Sequence, residues 1–204
     1  MIQEFLLALG TLFPIVNPLG TTFIFSSMTK AFSFEERKSL AFKASVVSFV
    51  TLVVFMFMGP YILSFFGVSI YAFRVAGGIY LVRVAMGMLG QQLWKSAEDY
   101  EASKEVAVVP LAIPLLAGPG SMTSVLAITA ADNSTVIYGG TALALLSIFF
   151  VSYWLFRYSV KISDVLGSSG SKITERVFGL IVLVIAAEFL FSGLTGYLEE
   201  IGFI

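Results

Sequence analysis

The sequence predicts an all-α membrane protein of about six transmembrane helices, built as two inverted three-helix repeats. Three observations lead there. Hydrophobic residues make up 58% of the 204 and charged residues only 12%, with a mean hydropathy of +0.94, whereas soluble domains carry about 25% charge. The apolar residues gather into runs of about 20, the length that crosses a hydrocarbon core. Pro/Gly motifs recur at matching places in the two halves.

The apolar runs predict spans over Phe5–Met28, Leu40–Phe66, Phe73–Leu89, Val106–Ala130, Val136–Phe156 and Val177–Leu198. The N-terminal run has no basic flank and no small-residue cleavage site, so it reads as a first span and not as a removable signal. Ser33-Phe-Glu-Glu36 has the S-x-x-E form of a capping box and marks the entry to the second span. The chain then divides into a first repeat over 1–90, a linker over 91–105 and a second, inverted repeat over 106–204. The acidic stretch Glu98–Glu101 falls in that linker and reads as solvated connector.

Orientation follows from basic residues. Lys30, Arg37, Lys38 and Lys43 follow the first span, and Arg157, Lys161, Lys172 and Arg176 follow the fifth. Lys95 and Lys104 lie in the linker, on the same side. The positive-inside rule places all three connectors in the cytoplasm and both termini outside.

The repeat is visible in two places. Pro14-Ile-Val-Asn-Pro-Leu-Gly20 matches Pro114-Leu-Leu-Ala-Gly-Pro-Gly120 at an offset of one hundred residues, and Arg74-Val-Ala-Gly-Gly-Ile79 matches Arg176-Val-Phe-Gly-Leu-Ile181 at nearly the same offset. An odd number of spans per unit makes the second copy enter the membrane from the opposite side. Inverted repeats with interrupted spans at matching places point to a transport site, because alternating access is built from two halves moving about a shared centre.

Proline removes a backbone N–H and clashes with the preceding turn. Pro14, Pro18, Pro114 and Pro119, with Gly20, Gly118 and Gly120, therefore predict interruptions in the first and fourth helices. Backbone groups released there are costly in hydrocarbon unless protein, water or solute satisfies them. A half-helix N-terminus at such a break favours an anion, which suits a zwitterion's carboxylate. Asn17, Thr21, Thr22, Ser121, Thr123 and Ser124 lie at or just after the breaks. They can cap a half-helix, bond back to their own backbone or meet a small polar solute. The bland alternative is that Pro and Gly only kink packed helices.

Two ionisable residues fall deep in predicted spans, Arg83 in the third and Glu188 in the sixth. A charge at that depth costs about 2.5 kcal/mol or more on insertion scales, so each must pair, snorkel or line a wet cavity. Glu188 is open to two readings, a proton acceptor or a static bridge with Arg83.

The same composition excludes other classes. A net charge of −1 without a basic stripe argues against nucleic acid. The chain has neither Cys nor His, which removes thiolate and imidazole chemistry and the usual zinc and copper ligands. There is no H-E-x-x-H, G-x-S-x-G or Walker loop, so no enzyme, catalytic residue, metal or cofactor is expected. Gly77, Gly78, Gly139 and Gly140 are small-residue positions suited either to a homo-oligomer or to packing within the chain.

Asn17-Pro-Leu-Gly20, Phe73-Arg-Val-Ala-Gly-Gly-Ile79 and Val109-Pro-Leu-Ala-Ile-Pro-Leu-Leu-Ala-Gly-Pro-Gly120 together resemble the MarC family of bacterial and archaeal membrane proteins, over nearly the whole chain. The resemblance implies a six-span protein of the inner, cytoplasmic membrane, transporting small neutral amino acids such as glycine and alanine. It further implies coupling to a proton or sodium gradient. The family's Asn-Pro-x-Gly element is intact at Asn17, Pro18, Leu19 and Gly20, and its Gly-Pro-Gly element at Gly118, Pro119 and Gly120. Glu188 departs from the family pattern, where a neutral residue is usual. The other reading of the same architecture is a channel or an exporter of another small solute, drugs included.

Overall fold

The computed structural model describes residues 1–90, 116–130 and 134–203, without the side chain of Ser168. Those residues form seven helices: α1 (Ile2–Val16), α2 (Pro18–Met28), α3 (Phe34–Phe65), α4 (Ile70–Gly90), α5 (Pro119–Ala130), α6 (Thr135–Arg157) and α7 (Ser159–Glu200). Among the described residues there is no strand. Among the described residues five stretches are long and apolar enough to cross a membrane: Ile2–Met28, Phe34–Phe65, Ile70–Gly90, Thr135–Arg157 and Ser169–Glu200. The first 10 residues of the span expected at Val106–Ala130, the linker with its acidic stretch, and Pro114 lie outside the described residues.

Several helices run further than their apolar cores. α3 begins at Phe34 rather than Leu40 because a complete capping box seats its first turn. Ser33 Oγ accepts from the Glu36 N–H at 3.3 Å, and Glu36 Oε2 accepts from the Ser33 N–H at 2.9 Å. α7 continues back through polar residues to Ser159, with one non-helical residue at Gly167 (φ +60°), a conformation that glycine adopts without a Cβ penalty. Beyond that turn Ser171 Oγ and Glu175 Oε1 lie 3.1 Å apart one helical turn from each other, so polar side chains support the helix outside its apolar stretch.

Two antiparallel pairs flank the interrupted segments. In one, Phe42, Phe49 and Phe57 of α3 meet Tyr153, Phe149 and Tyr138 of α6 in reverse order along the chain. In the other, Ser69 before α4 donates to Glu200 at the far end of α7, 2.7 Å away. Close approach between α4 and α7 depends on glycine: a Cβ at Gly78 would sit 2.9 Å from Leu190 Cγ, and one at Gly193 would sit 2.8 Å from Val75 Cγ2.

The interior has two apolar clusters. One joins Leu12, Val16, Phe25, Leu52, Met56, Leu145 and Phe156, with Phe25 stacked on Phe156 at 4.8 Å. The other gathers Ile15, Leu81, Ala85, Ala127, Val182 and Ala186. Ile15 and Val16, adjacent in sequence, thus serve different clusters at the point where the first helix is interrupted. Outside, large apolar side chains such as Phe65, 84% exposed, cover the surface, as a lipid-facing wall requires. At one end Arg157 lies over the rings of Phe34, Trp154 and Tyr158 at 5.2 to 5.5 Å, an arrangement typical of a membrane–water interface.

Candidate functional site

At the first interruption, α1 stops at Val16 and α2 starts at Pro18, with Asn17 between them in the left-handed conformation (φ 49°, ψ 57°). Asn is one of the few non-glycine residues that enter this region, because its short amide can bond locally. Here Asn17 Oδ1 accepts from the Gly20 N–H at 3.0 Å and caps α2, while Pro18 takes the first helical position, where a missing N–H costs nothing. A Cβ on Gly20 would collide with Asn17 Nδ2, so the glycine makes room for the cap.

The second Pro/Gly motif stands at the start of α5. Leu116, Ala117 and Gly118 are buried ahead of α5, which starts at Pro119. Met122 N–H donates to Gly118 O at 3.0 Å, and Ser121 Oγ donates to Leu116 O at 3.1 Å. Among the described residues no side chain caps the N–H groups of Gly120 and Ser121 in the first turn of α5. Those donors are the ones a helix leaves unsatisfied at its N-terminus.

The two Pro/Gly motifs come close together. A Cβ at Gly120 would stand 2.8 Å from Leu81 Cδ2 and 3.6 Å from Ile15 Cγ2, two residues before Asn17. A Cβ at Gly77 would collide with Thr123 Cγ2. The start of α5 is therefore wedged between α1 and α4. Farther along, the matching residues Thr29 and Thr129 are both fully buried, and each donates to the carbonyl four residues back, at 2.7 and 3.0 Å.

Pro18, Gly20, Thr21, Thr22, Gly118, Gly120, Ser121, Thr123 and Ser124 are buried, Asn17 is half-buried and Pro119 is exposed. The hydroxyls are committed to their own helices. Thr21 Oγ1 donates to Asn17 O (2.9 Å) and Pro18 O (3.1 Å), Thr22 Oγ1 to Pro18 O (2.6 Å), Thr123 Oγ1 to Pro119 O (2.8 Å) and Ser124 Oγ to Gly120 O (2.8 Å). Each retains lone pairs but no spare proton. Among the described residues the hydroxyl protons here are taken up by backbone carbonyls, and no side chain accepts from the first N–H groups of α5.

Arg83 and Glu188 are not part of this centre. Both are exposed, and among the described residues neither forms an ion pair with the other or with any group. α4 buries Gly77, Gly78, Leu81, Ala85 and Met88, which leaves Arg83 on its outer face. Gly77, Gly78 and Gly140 serve contacts within the chain, Gly140 against Glu4 and Phe5, while Gly139 faces open space. A groove of about 510 Å³ opens beside Pro14, but its walls include Leu6, Leu9, Phe13 and Ile148 and take in neither Asn17 nor Gly118.

Sequence reading did not single out two groups that the structure makes prominent. Ser45 Oγ in α3 and Thr141 Oγ1 in α6 are buried without a hydrogen-bond partner among the described residues. Hydroxyls in otherwise apolar spans were the only available signal, and most such groups bond to their own helix. The other is Arg74, whose Nη2 donates to the Ala127 carbonyl in the last turn of α5 at 2.8 Å. Its partner lies 53 residues away, beyond what spacing reveals.

Helices of this length and apolar character define a multi-pass integral membrane protein. The model of the MarC family integral membrane proteins matches residues 2–198, and this chain belongs to that family. It is 36% identical to the UPF0056 membrane protein PH0760 of Pyrococcus horikoshii, over 96% of each chain. It is 33% identical to YvbG of Bacillus subtilis, over 91% of this chain and 92% of that one. To YhcE of Escherichia coli it is again 33% identical, over 91% and 89% respectively. No solved structure matches it.

Proposed function

We propose that the chain is a secondary transporter of small neutral amino acids of the glycine and alanine type, driven by a proton or sodium gradient and binding its solute where the two interruptions meet. The observation that supports this reading is the close approach of the two Pro/Gly motifs, with Gly120 beside Ile15, two residues before Asn17. A zwitterion suits the place. Its carboxylate would accept from the N–H groups of Gly120 and Ser121 at the positive end of the α5 dipole. Its ammonium would face carbonyl oxygens around Asn17.

The reading includes six spans in two inverted repeats, with the residues before Pro119 completing the fourth. Antiparallel packing of α3 with α6, and of α4 with α7, supports it, since corresponding helices of inverted repeats run in opposite directions. It also includes an inner-membrane location with both termini outside, supported by the basic connectors. Arg83 and Glu188, exposed on apolar helices, are then positions for lipid headgroups, a coupling proton or a second copy of the chain.

The test is uptake of radiolabelled glycine and alanine into proteoliposomes under an imposed proton or sodium gradient, for the unaltered protein, Asn17→Ala and Gly118→Leu. Saturable, gradient-dependent uptake that both substitutions abolish is the expected result. Absence of uptake of any neutral amino acid by folded protein would overturn the solute assignment and favour a channel or an exporter of a different solute.

A further inference from the structure

The matching arginines of the two halves are in different states. Arg74 reaches from α4 to the last turn of α5, donating from Nη2 to Ala127 O at 2.8 Å. Carbonyls in the last turn of a helix run short of intrahelical donors, and a cation there also complements the helix dipole. Arg176, its counterpart at the head of the Arg-Val-x-Gly-x-Ile string, is exposed on α7, and among the described residues it makes no hydrogen bond or ion pair. Yet its surroundings repeat those of Arg74. α5 packs on α4, and α2 packs on α7. Thr129 near the end of α5 and Thr29 just past the end of α2 make the same bond to the fourth residue back. The residue of α2 that matches Ala127 at the offset of one hundred is Ser27, in the last turn of α2 and exposed.

We infer that Arg74 and Arg176 are alternating latches. Arg74 holds the half-helix α5 in the state seen here, and Arg176 takes up the carbonyls of the last turn of α2, around Ser27, in the state that opens α5. Both are positioning residues, and the proposal rests on the transport reading for its inverted repeats and its second state. Physical economy favours the exchange: two nearly equivalent packings of the repeats differ by one charge-assisted hydrogen bond gained at one end and one lost at the other, so neither state is trapped.

The chain contains no cysteine, so single reporters are clean. Ser27→Cys at the end of α2 and Ala130→Cys at the end of α5, each in proteoliposomes, report alkylation by a membrane-impermeant maleimide applied from either side. Arg74→Gln should raise the rate at position 130 and lower it at position 27, by about tenfold for loss of a charged hydrogen bond. Arg176→Gln breaks no bond among the described residues, and it should produce the mirror image, slower at 130 and faster at 27. Arg74→Lys, which keeps a donor and the charge, should restore most of the original rates.

A rise at both reporters in Arg74→Gln would mean that the residue only stabilises the fold, and unchanged rates in Arg176→Gln would remove the second latch. Either result overturns the proposal. Labelling needs no solute, so mirror-image rates without uptake of glycine or alanine would sink the solute assignment alone. Uptake with unmoved labelling would sink the latches alone.

Discussion

The two Pro/Gly motifs seat the helices that follow them, α2 and α5, by different means. At Asn17 everything needed is within a few residues: the left-handed backbone, the side-chain cap on Gly20 and a proline at the first helical position. The contact that forbids a Cβ at Gly20 comes from Asn17 itself. At Gly118 the position matching Asn17 is Ala117, which has no side chain that can cap. There the contacts come from elsewhere in the chain, with Leu81 and Ile15 against Gly120, Thr123 against Gly77 and Arg74 on Ala127. The first motif is held by local chemistry and the start of α5 by tertiary packing.

The sharpest way to break that contrast is Gly77→Val. The new side chain would collide with Thr123, whose β-branched side chain is stiff and cannot swing aside. We expect a loss of about 2–3 kcal/mol in thermal unfolding in detergent, with uptake abolished. Gly77→Val combined with Thr123→Ala should recover part of it. Unchanged melting of the single variant would show that α4 does not hold α5.

Asn17→Ala comes next. It removes the cap, worth about 1 kcal/mol, and places an alanine in the left-handed region at a further 1–2 kcal/mol. Asn17→Gly loses the cap without the backbone strain, at a cost of only a few tenths of a kcal/mol. Equal melting temperatures for the two variants would refute the local account of the first break.

Smaller effects separate structure from function within the hydroxyls. Ser121→Ala should cost about 1 kcal/mol, because Leu116 O loses the donor that ties it to the start of α5. Thr22→Val should cost less than about 1 kcal/mol, since it removes one back-bond to Pro18 O, and should leave uptake intact. Loss of uptake in Thr22→Val at unchanged melting would place that hydroxyl on the solute.

Much of this was legible before any coordinates. Spans announce themselves because every backbone polar group in a bilayer must be bonded internally, so long apolar runs can only be helices. The start of α3 was readable from Ser33 and Glu36, three residues apart. The interruption at Asn17 was readable for a similar reason, since Asn-Pro-x-Gly carries its cap, its first residue and its clearance within four positions. Arg83 and Glu188 were harder, because residue depth says how costly a charge is but not which way it faces. The fold turned both outward, and no bridge forms between them among the described residues.

By itself, then, the sequence determined that this is an all-helical membrane chain with duplicated Pro/Gly motifs, because hydrophobicity and backbone restriction act over a few residues. Only the tertiary structure decided that Gly120 meets Leu81 and Ile15, that the hydroxyls turn back onto their own helices, and that Arg74 is engaged while Arg176 is not. Such contacts join residues tens of positions apart, and whether they form depends on how whole helices seat against one another, which no local pattern encodes.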